Sequence, residues 1–408
     1  MATSYKWQFS PRFRRNAFGW KSDTPIQRIK EALSEIKAVA KKEPVPAAEG
    51  AVLFLEKVAP AIEQVDSSSG RIGSAVNRAI ETLVPIIAQA DVGRPVREKW
   101  LDRLWHALKE DDMPYLEYLG EFWGELCATP EMASKWGDYL SPTLTTMWDH
   151  CASSGEYGYF KGTTACLSAL YAAGRHDELL ALIAKSEYRH KSWHNRVWGA
   201  KALAKEGRGA EAIRYAEEST GLNAPVTAIA AFCERVLLES GFADEAYARY
   251  AIEAAYATTN LATFKAVVKK YPHLPKEKIL RDLVARQSGQ EGKWFAAAKD
   301  AGLFEMAIEL ANKSPSDPRT LTRAANDYSV EHPEFALAAG MTALRGIASG
   351  WGYDITGIDV LDAYGAVMTA AGAAGVNEEL IKKDIRSLTA ASGGGQFVGR
   401  ILARQLAI

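Results

Sequence analysis

Apolar positions recur every three or four residues along most of the chain, the spacing that lines one face of an α-helix. In SDTPIQRIKEALSEIKAVAKK (22–42), Ile26, Ile29, Leu33 and Ile36 fall on one such stripe. Thr24 before Pro25 reads as an N-cap followed by proline at the first helical position, where its missing N–H costs nothing. Gln27 would then complete a capping box. The same start signal recurs at Thr129-Pro130, Ser141-Pro142 and Asp317-Pro318. Striped segments follow one another, among them AAEGAVLFLEKVAPAIEQV, GSAVNRAIETLVPIIAQA and VREKWLDRLWHALK. They are divided by DSSSG (66–70), DVGRP (91–95) and SSGEYG (153–158), which carry turn chemistry. Alternating runs bounded by turns are absent, so strands are not expected. The pattern predicts an all-α protein.

A second pattern overlies the first. AAGRHDELL (172–180), KEGRGAEAI (205–213) and ESGFADEAY (239–247) are near copies, and DAGLFEMAI (300–308) is a fourth. Gly174, Gly207 and Gly241 stand 33 and 34 positions apart. Gly302 follows after 61, which leaves room for one divergent unit around NLATFKAVVKKYPHLPKEKIL (260–280). In each copy a helix ends at the glycine and a second opens just beyond it. The glycine supplies the tight turn. Ala212, Ala246 and Ala307 let the two helices approach, with Leu179 in that place in the first copy. A helix pair repeating at this period is the mark of an α-solenoid, whose units bury their apolar faces by stacking.

The glycine with an alanine five residues on resembles tetratricopeptide repeats over roughly residues 160–315, although the proline that usually ends a unit is missing from most copies. The resemblance implies a right-handed α–α superhelix with a concave surface for a peptide or protein. The whole chain is also similar to bacterial hypothetical proteins with SPRFRRNAFGW near the N-terminus and a later KWFAAAKDAG, a likeness that implies no activity. The expected organisation is an N-terminal helical bundle (1–152), tetratricopeptide-like repeats (153–345) and C-terminal capping helices (346–408).

Composition narrows the function classes. Hydrophobic residues are 48% and charged residues 24%, a globular mixture. The net charge of −1 gives no general basic field for nucleic acid. Cys127, Cys151, Cys166 and Cys233 form no CxxC pair, which argues against a thiolate zinc site and for a reducing compartment. No apolar run reaches the length of a membrane span, and the N-terminus has no signal-peptide apolar core. A cytoplasmic protein with no membrane contact is expected. The arginine-rich, acid-free start leaves a transit peptide as the alternative.

Four places carry candidate chemistry. The arm of residues 1–21 interleaves Lys6, Arg12, Arg14, Arg15 and Lys21 with six aromatics. It either grips phosphates and stacks bases or packs its rings on the first helices and pairs its arginines with helix carboxylates, and packing is the expectation. YRHKSWHNRVWGAK (188–201) would place His190 and His194 on one helical face, half of a metal site with no third ligand. It reads better as a basic surface of Arg189, His190, Lys191, His194, Arg196 and Lys201 interleaved with Trp193 and Trp198, suited to an acidic or phosphate-bearing partner. Against that surface stands a solvated helix face with the tryptophans in the core, which is the expectation. EYGYFKG (156–162) offers Tyr157 and Tyr159, either as a binding loop or as a plug between bundle and repeats. SGWGYDITG (349–357) reads as an inter-helix loop, and the end, ASGGGQFVGRILARQLAI, as a glycine hinge and a capping helix.

No catalytic residues, metal ligands or cofactor motifs are legible. Asp111-Asp112 and Glu378-Glu379 read as solvated charges or dipole partners, and His150-Cys151 as a chance neighbourhood. The first expectation is a non-enzymatic scaffold that binds a peptide or protein in a solenoid groove. The alternative is a helical-repeat nucleic-acid binder, possibly of DNA-glycosylase type. It requires the arm and the 188–201 face to line one surface. An enzyme would need a deep polar pocket with convergent titratable groups.

Overall fold

The computed structural model describes residues 5–221, 225–389 and 394–407. Residues 1–4 of the arm and residues 391–393 of the expected glycine hinge lie outside the described residues. The described residues contain helices and turns and no strand. The protein is an all-α helical repeat. It divides into two compact units, Met1–Pro225 and Val226–Ile408.

The first unit begins with α1 (Asp23–Ala40), α2 (Pro44–Ile62), α3 (Arg71–Ala88) and α4 (Arg94–Lys109). The short α5 (Trp123–Cys127) and the long α6 (Pro130–Ser154) follow. Two helix pairs complete it: α7 (Thr163–Ala172) with α8 (His176–Ser186), and α9 (Trp193–Lys205) with α10 (Gly209–Glu217). α2 packs against α1, α3 and α4, and α7 against α6, α8 and α9. The C-terminal carbonyls of α3 would be orphaned in the core. Buried Arg97 takes them up, donating to Ile87 O at 2.5 Å, Ala88 O at 3.2 Å and Ala90 O at 2.7 Å.

In the second unit α11 (Val226–Glu239) packs back on α12 (Ala243–Ala246), a π-helical turn Tyr247–Ala251 and α13 (Ile252–Ala254). Next come α14 (Asn260–Lys270) with α15 (Lys276–Ala285), which is the divergent unit, and α16 (Phe295–Asp300) with α17 (Phe304–Lys313). Then follow α18 (Pro318–Asp327), α19 (Pro333–Ala348), α20 (Gly357–Ala373), α21 (Glu378–Thr389), α22 (Gly394–Ile401) and α23 (Ala403–Leu406). Val398, Leu402 and Leu406 are buried, and α22 packs on α19, α20 and α21.

The repeated nine-residue stretch is a helix-ending turn. Gly174, Gly207, Gly241 and Gly302 have φ of +75°, +77°, +84° and +78°, values that disfavour any side chain. Each next residue donates its N–H back to a carbonyl near the helix end: Arg175 to Leu170, Arg208 to Leu203, Phe242 to Leu237 and Leu303 to Ala298, all at 2.9–3.0 Å. Ala212, Ala246, Ala307 and Leu179 are fully buried. Gly375, with φ +68° and Val376 N–H to Ala371 O at 3.0 Å, makes the same turn, and AAGVNEELI (373–381) around it is a further near copy of AAGRHDELL.

Two expected helix starts are corrected. α1 begins at Asp23, with Ser22 as an N-cap that makes no side-chain bond, so Thr24 and Gln27 form no capping box. Ser141-Pro142 lies inside α6 rather than at a start. Thr129 and Asp317 do cap, accepting from Met132 N–H at 3.2 Å and Thr320 N–H at 3.0 Å.

The arm packs. Trp7, Phe9, Phe13 and Phe18 are buried, and Phe9 and Phe13 meet Phe54 of α2 edge to face at 5.7 and 5.1 Å. Gln8 and Phe9 donate their N–H groups to the Glu35 carboxylate at 2.8 and 3.1 Å. Arg12 pairs with Glu31 at 2.8 Å and Arg15 with Glu63 at 3.6 Å, while Arg14 stays exposed.

Candidate functional site

Two loops of the first unit, 155–162 before α7 and 187–192 before α9, come together at one edge. Gly155, with φ +72°, ends α6 and turns the chain outward. Three contacts pin the loop that follows. Lys161 Nζ donates to Lys109 O at 2.8 Å and Asp111 O at 2.6 Å, placing a cation at the negative end of α4. The Phe160 ring meets Trp105 at 6.2 Å. Tyr159 OH donates to Glu117 at 3.0 Å. Tyr157 and Tyr159 nevertheless remain 75% and 66% exposed. The segment is therefore both a plug, through Phe160 and Lys161, and a display of two tyrosine rings.

The second loop meets the first. The Arg189 guanidinium lies 4.3 Å from the Tyr157 ring centre, a cation–π distance. Tyr188 OH donates to Glu156 O at 3.0 Å, and His150 Nε2 lies 3.6 Å from the Glu156 carboxylate. Behind it, Lys191 exchanges hydrogen bonds with Thr220, N–H to Oγ1 at 3.0 Å and O from N–H at 2.8 Å. Lys191 Nζ reaches Glu218 at 2.6 Å. The edge is thus a fixed frame around Tyr157 and Arg189. Sequence reading missed Tyr188, Glu156 and His150 as its supports. Tyr188 meets Glu156 only because two loops about 30 residues apart in the chain are neighbours in space, while His150 reaches Glu156 from the end of α6.

The single basic face expected over 188–201 is corrected. α9 begins at Trp193, so His190 sits in the loop and shares no helical turn with His194. His194 is exposed, with Nε2 3.2 Å from Thr164 Oγ1 on α7. Arg196 is 1% exposed. It stacks 3.5 Å from the Tyr215 ring, donates to Tyr215 O at 3.1 Å and pairs with Glu187, so it clamps α9 to α10. Trp198 is buried against Tyr171, with Lys201 Nζ 4.2 Å from its ring. Of the expected surface, Arg189, His190 and His194 face solvent, and Lys201 is half-buried.

Other candidate chemistry resolves into packing. Asp111 is not a solvated charge: it follows α4, is 5% exposed and accepts Leu116 N–H at 2.7 Å. Burial pushes its carboxyl up to about 6. Near it a cavity of about 330 Å³ is lined by Arg15, Glu56, Glu63, Arg103, His106 and Asp112, among others. Its arginines already pair with its carboxylates, Arg103 with Glu56 at 2.6 Å and Arg15 with Glu63. All four cysteines are buried, and burial pushes the Cys127 and Cys166 thiols up to about 12, far from a reactive thiolate. Glu378 and Glu379 do lie in the first turn of α21, as dipole partners should. Among the described residues no three His, Cys, Asp or Glu side chains converge to hold a metal. No described helix is long and apolar enough to cross a membrane.

No protein-family model and no curated protein matches the chain. Among solved structures it is similar to a circular tandem repeat protein with novel repeat topology and enhanced subunit contact surfaces. The two are 14% identical over 93% of this chain and 83% of that one, with a TM-score of 0.17. A match that loose carries no argument about fold or assembly.

Proposed function

We propose that this chain is a non-enzymatic interaction protein that takes a protein or peptide partner on its repeat surface, with Tyr157, Tyr159 and Arg189 as the contact edge. The observation that carries the reading is the display of two tyrosines, 75% and 66% exposed, on a loop whose other side chains are pinned. Tyrosine and arginine supply large contact area with few rotors, which is why they anchor interfaces. His190 and His194 extend the edge and favour an acidic or phosphate-bearing partner. In the same reading the helix pairs continue as a tetratricopeptide-like right-handed superhelix of a bacterial, cytoplasmic protein, with the bundle, repeats and cap divided at 152 and 345.

Nucleic-acid binding is the weaker reading. Arg12 and Arg15 are paired to Glu31 and Glu63, Arg196 is buried, and four of the six arm rings that would stack bases are in the core, with Tyr5 and Trp20 exposed.

Affinity capture from source-cell lysate, with and without nuclease, compares the intact chain with Tyr157→Ala/Arg189→Glu. A nuclease-resistant protein retained by the intact chain and lost by the variant supports the reading. Equal retention by both, or recovery only of nuclease-sensitive material, overturns it.

A further inference from the structure

A groove in the second unit has a chemistry of its own. It encloses about 660 Å³ between the start of α17 and the start of α19. Its floor is apolar, made chiefly by Phe304, Ile308 and Phe335. Phe304 is wedged there, its ring centre 4.4 Å from His332 and 4.6 Å from Phe335, and it stays partly exposed where it lines the groove. The rim is acidic: Glu305, Glu331 and Glu334 all line the opening and all are exposed. Among the described residues no lysine or arginine lines it. Among the described residues none of the three carboxylates makes an ion pair or hydrogen bond, whereas most acids on the neighbouring helices do, such as Glu309 with Lys313 and Asp359 with Arg319. Glu305 and Glu334 stand in first helical turns, where the dipole favours a negative charge. Glu331 lies outside any helix, so the dipole does not account for it.

An apolar floor inside three unpaired carboxylates is complementary to a cation that carries an apolar anchor. The volume suits one or two large side chains rather than a whole helix. We propose that this groove docks a basic segment of another protein. One aliphatic or aromatic side chain of that segment lies on Phe304 and Ile308, and flanking lysines or arginines meet Glu305, Glu331 and Glu334. The site is separate in residues and in charge from the tyrosine edge of the first unit, and neither depends on the other.

The test is fluorescence anisotropy on the full chain with three labelled synthetic peptides: alternating Leu–Lys, alternating Leu–Glu and alternating Gly–Lys. The expected result is Leu–Lys binding at least about tenfold tighter than either control, weakened at least about tenfold by Glu305→Lys/Glu331→Lys and also by Ile308→Ser. A charge-matched double variant elsewhere, Asp102→Lys/Glu239→Lys, and the edge variant Tyr157→Ala/Arg189→Glu should both leave it unchanged. Equal loss in the charge-matched variant, or equal binding of Gly–Lys, means charge attraction without a groove and overturns the proposal. So does a concentration-dependent dimer in sedimentation that Glu305→Lys/Glu331→Lys abolishes, because the occupant is then a second copy. Circular dichroism of each variant confirms that binding is read on folded protein.

Discussion

Trp7 lies across α2 at the one position without a side chain in its way. A Cβ placed on Gly50 would stand 2.0 Å from Trp7 Cζ2 and 2.3 Å from Cε2. α2 cannot retreat, because Ala47, Ala48 and Ala51 around that glycine are fully buried. Gly50→Ala must therefore expel the indole. Elsewhere in a helix interior the same change stabilises by about 1 kcal/mol. Losing the packing of a large buried aromatic costs about 3–5 kcal/mol, so the net expectation is a loss of about 2–4 kcal/mol. In a Trp7→Ala background the clash is gone, and Gly50→Ala should stabilise by about 1 kcal/mol. The assay is a double-mutant cycle by urea unfolding followed by circular dichroism. Trypsin cleavage after Arg12, Arg14 and Arg15 reports arm release directly, since the arm can open before the unit unfolds. A stabilising Gly50→Ala in the intact chain, or the same sign in both backgrounds, would refute the argument.

Three further outcomes follow from buried groups. Arg196→Ala should cost about 3–5 kcal/mol in urea unfolding, because it strands the Glu187 carboxylate and the Tyr215 carbonyl, while Arg189→Ala at the exposed edge should cost under about 1 kcal/mol; comparable costs would contradict the clamp. Asp111 has a folded value of about 6 against 3.8 when unperturbed, so its charge opposes folding as pH rises through that window. The stability advantage of Asp111→Asn over the parent should grow by about 2 kcal/mol from pH about 4.5 to about 7.5, and an advantage that shrinks would be the wrong sign. Cys127 and Cys166 should resist a thiol reagent at mildly alkaline pH until denaturant is added, and prompt native labelling of either would contradict their burial.

What the sequence reveals here is what local chemistry decides. A positive φ at a tight helix turn nearly demands glycine, so Gly174, Gly207, Gly241 and Gly302 could be read directly. Gly375 makes the same turn within AAGVNEELI (373–381), which shares the Glu-Leu spacing of AAGRHDELL, so this copy is legible in the sequence as well. Proline signals are ambiguous for a physical reason. Pro130 and Pro318 open helices, whereas Pro142 sits within one, and the difference lies in packing around α6 rather than in the dipeptide. The candidate surface was half legible. Tyr157 and Arg189 are exposed and meet, but Arg196 looks no different from Arg189 in the chain. Its burial depends on Glu187 in the loop before α9 and on Tyr215, which reaches it only after α9 and α10 have paired. Asp111 likewise looks like one of two adjacent solvated acids until Leu116 N–H and the end of α4 close around it. Glu156 and Tyr188 carry no motif, because their contact comes from the meeting of two loops, and His150 supports it from the end of α6.

The most direct test of the tyrosine edge places a photo-crosslinking benzophenone amino acid at position 157, and separately at exposed Tyr353, beyond the far end of α19 from the acidic groove, as a control, in the source cell. The expected result is a discrete protein adduct from position 157 that is absent from position 353 and persists after nuclease treatment. Adducts of equal yield at both positions, or a nucleic-acid adduct at position 157, would contradict it.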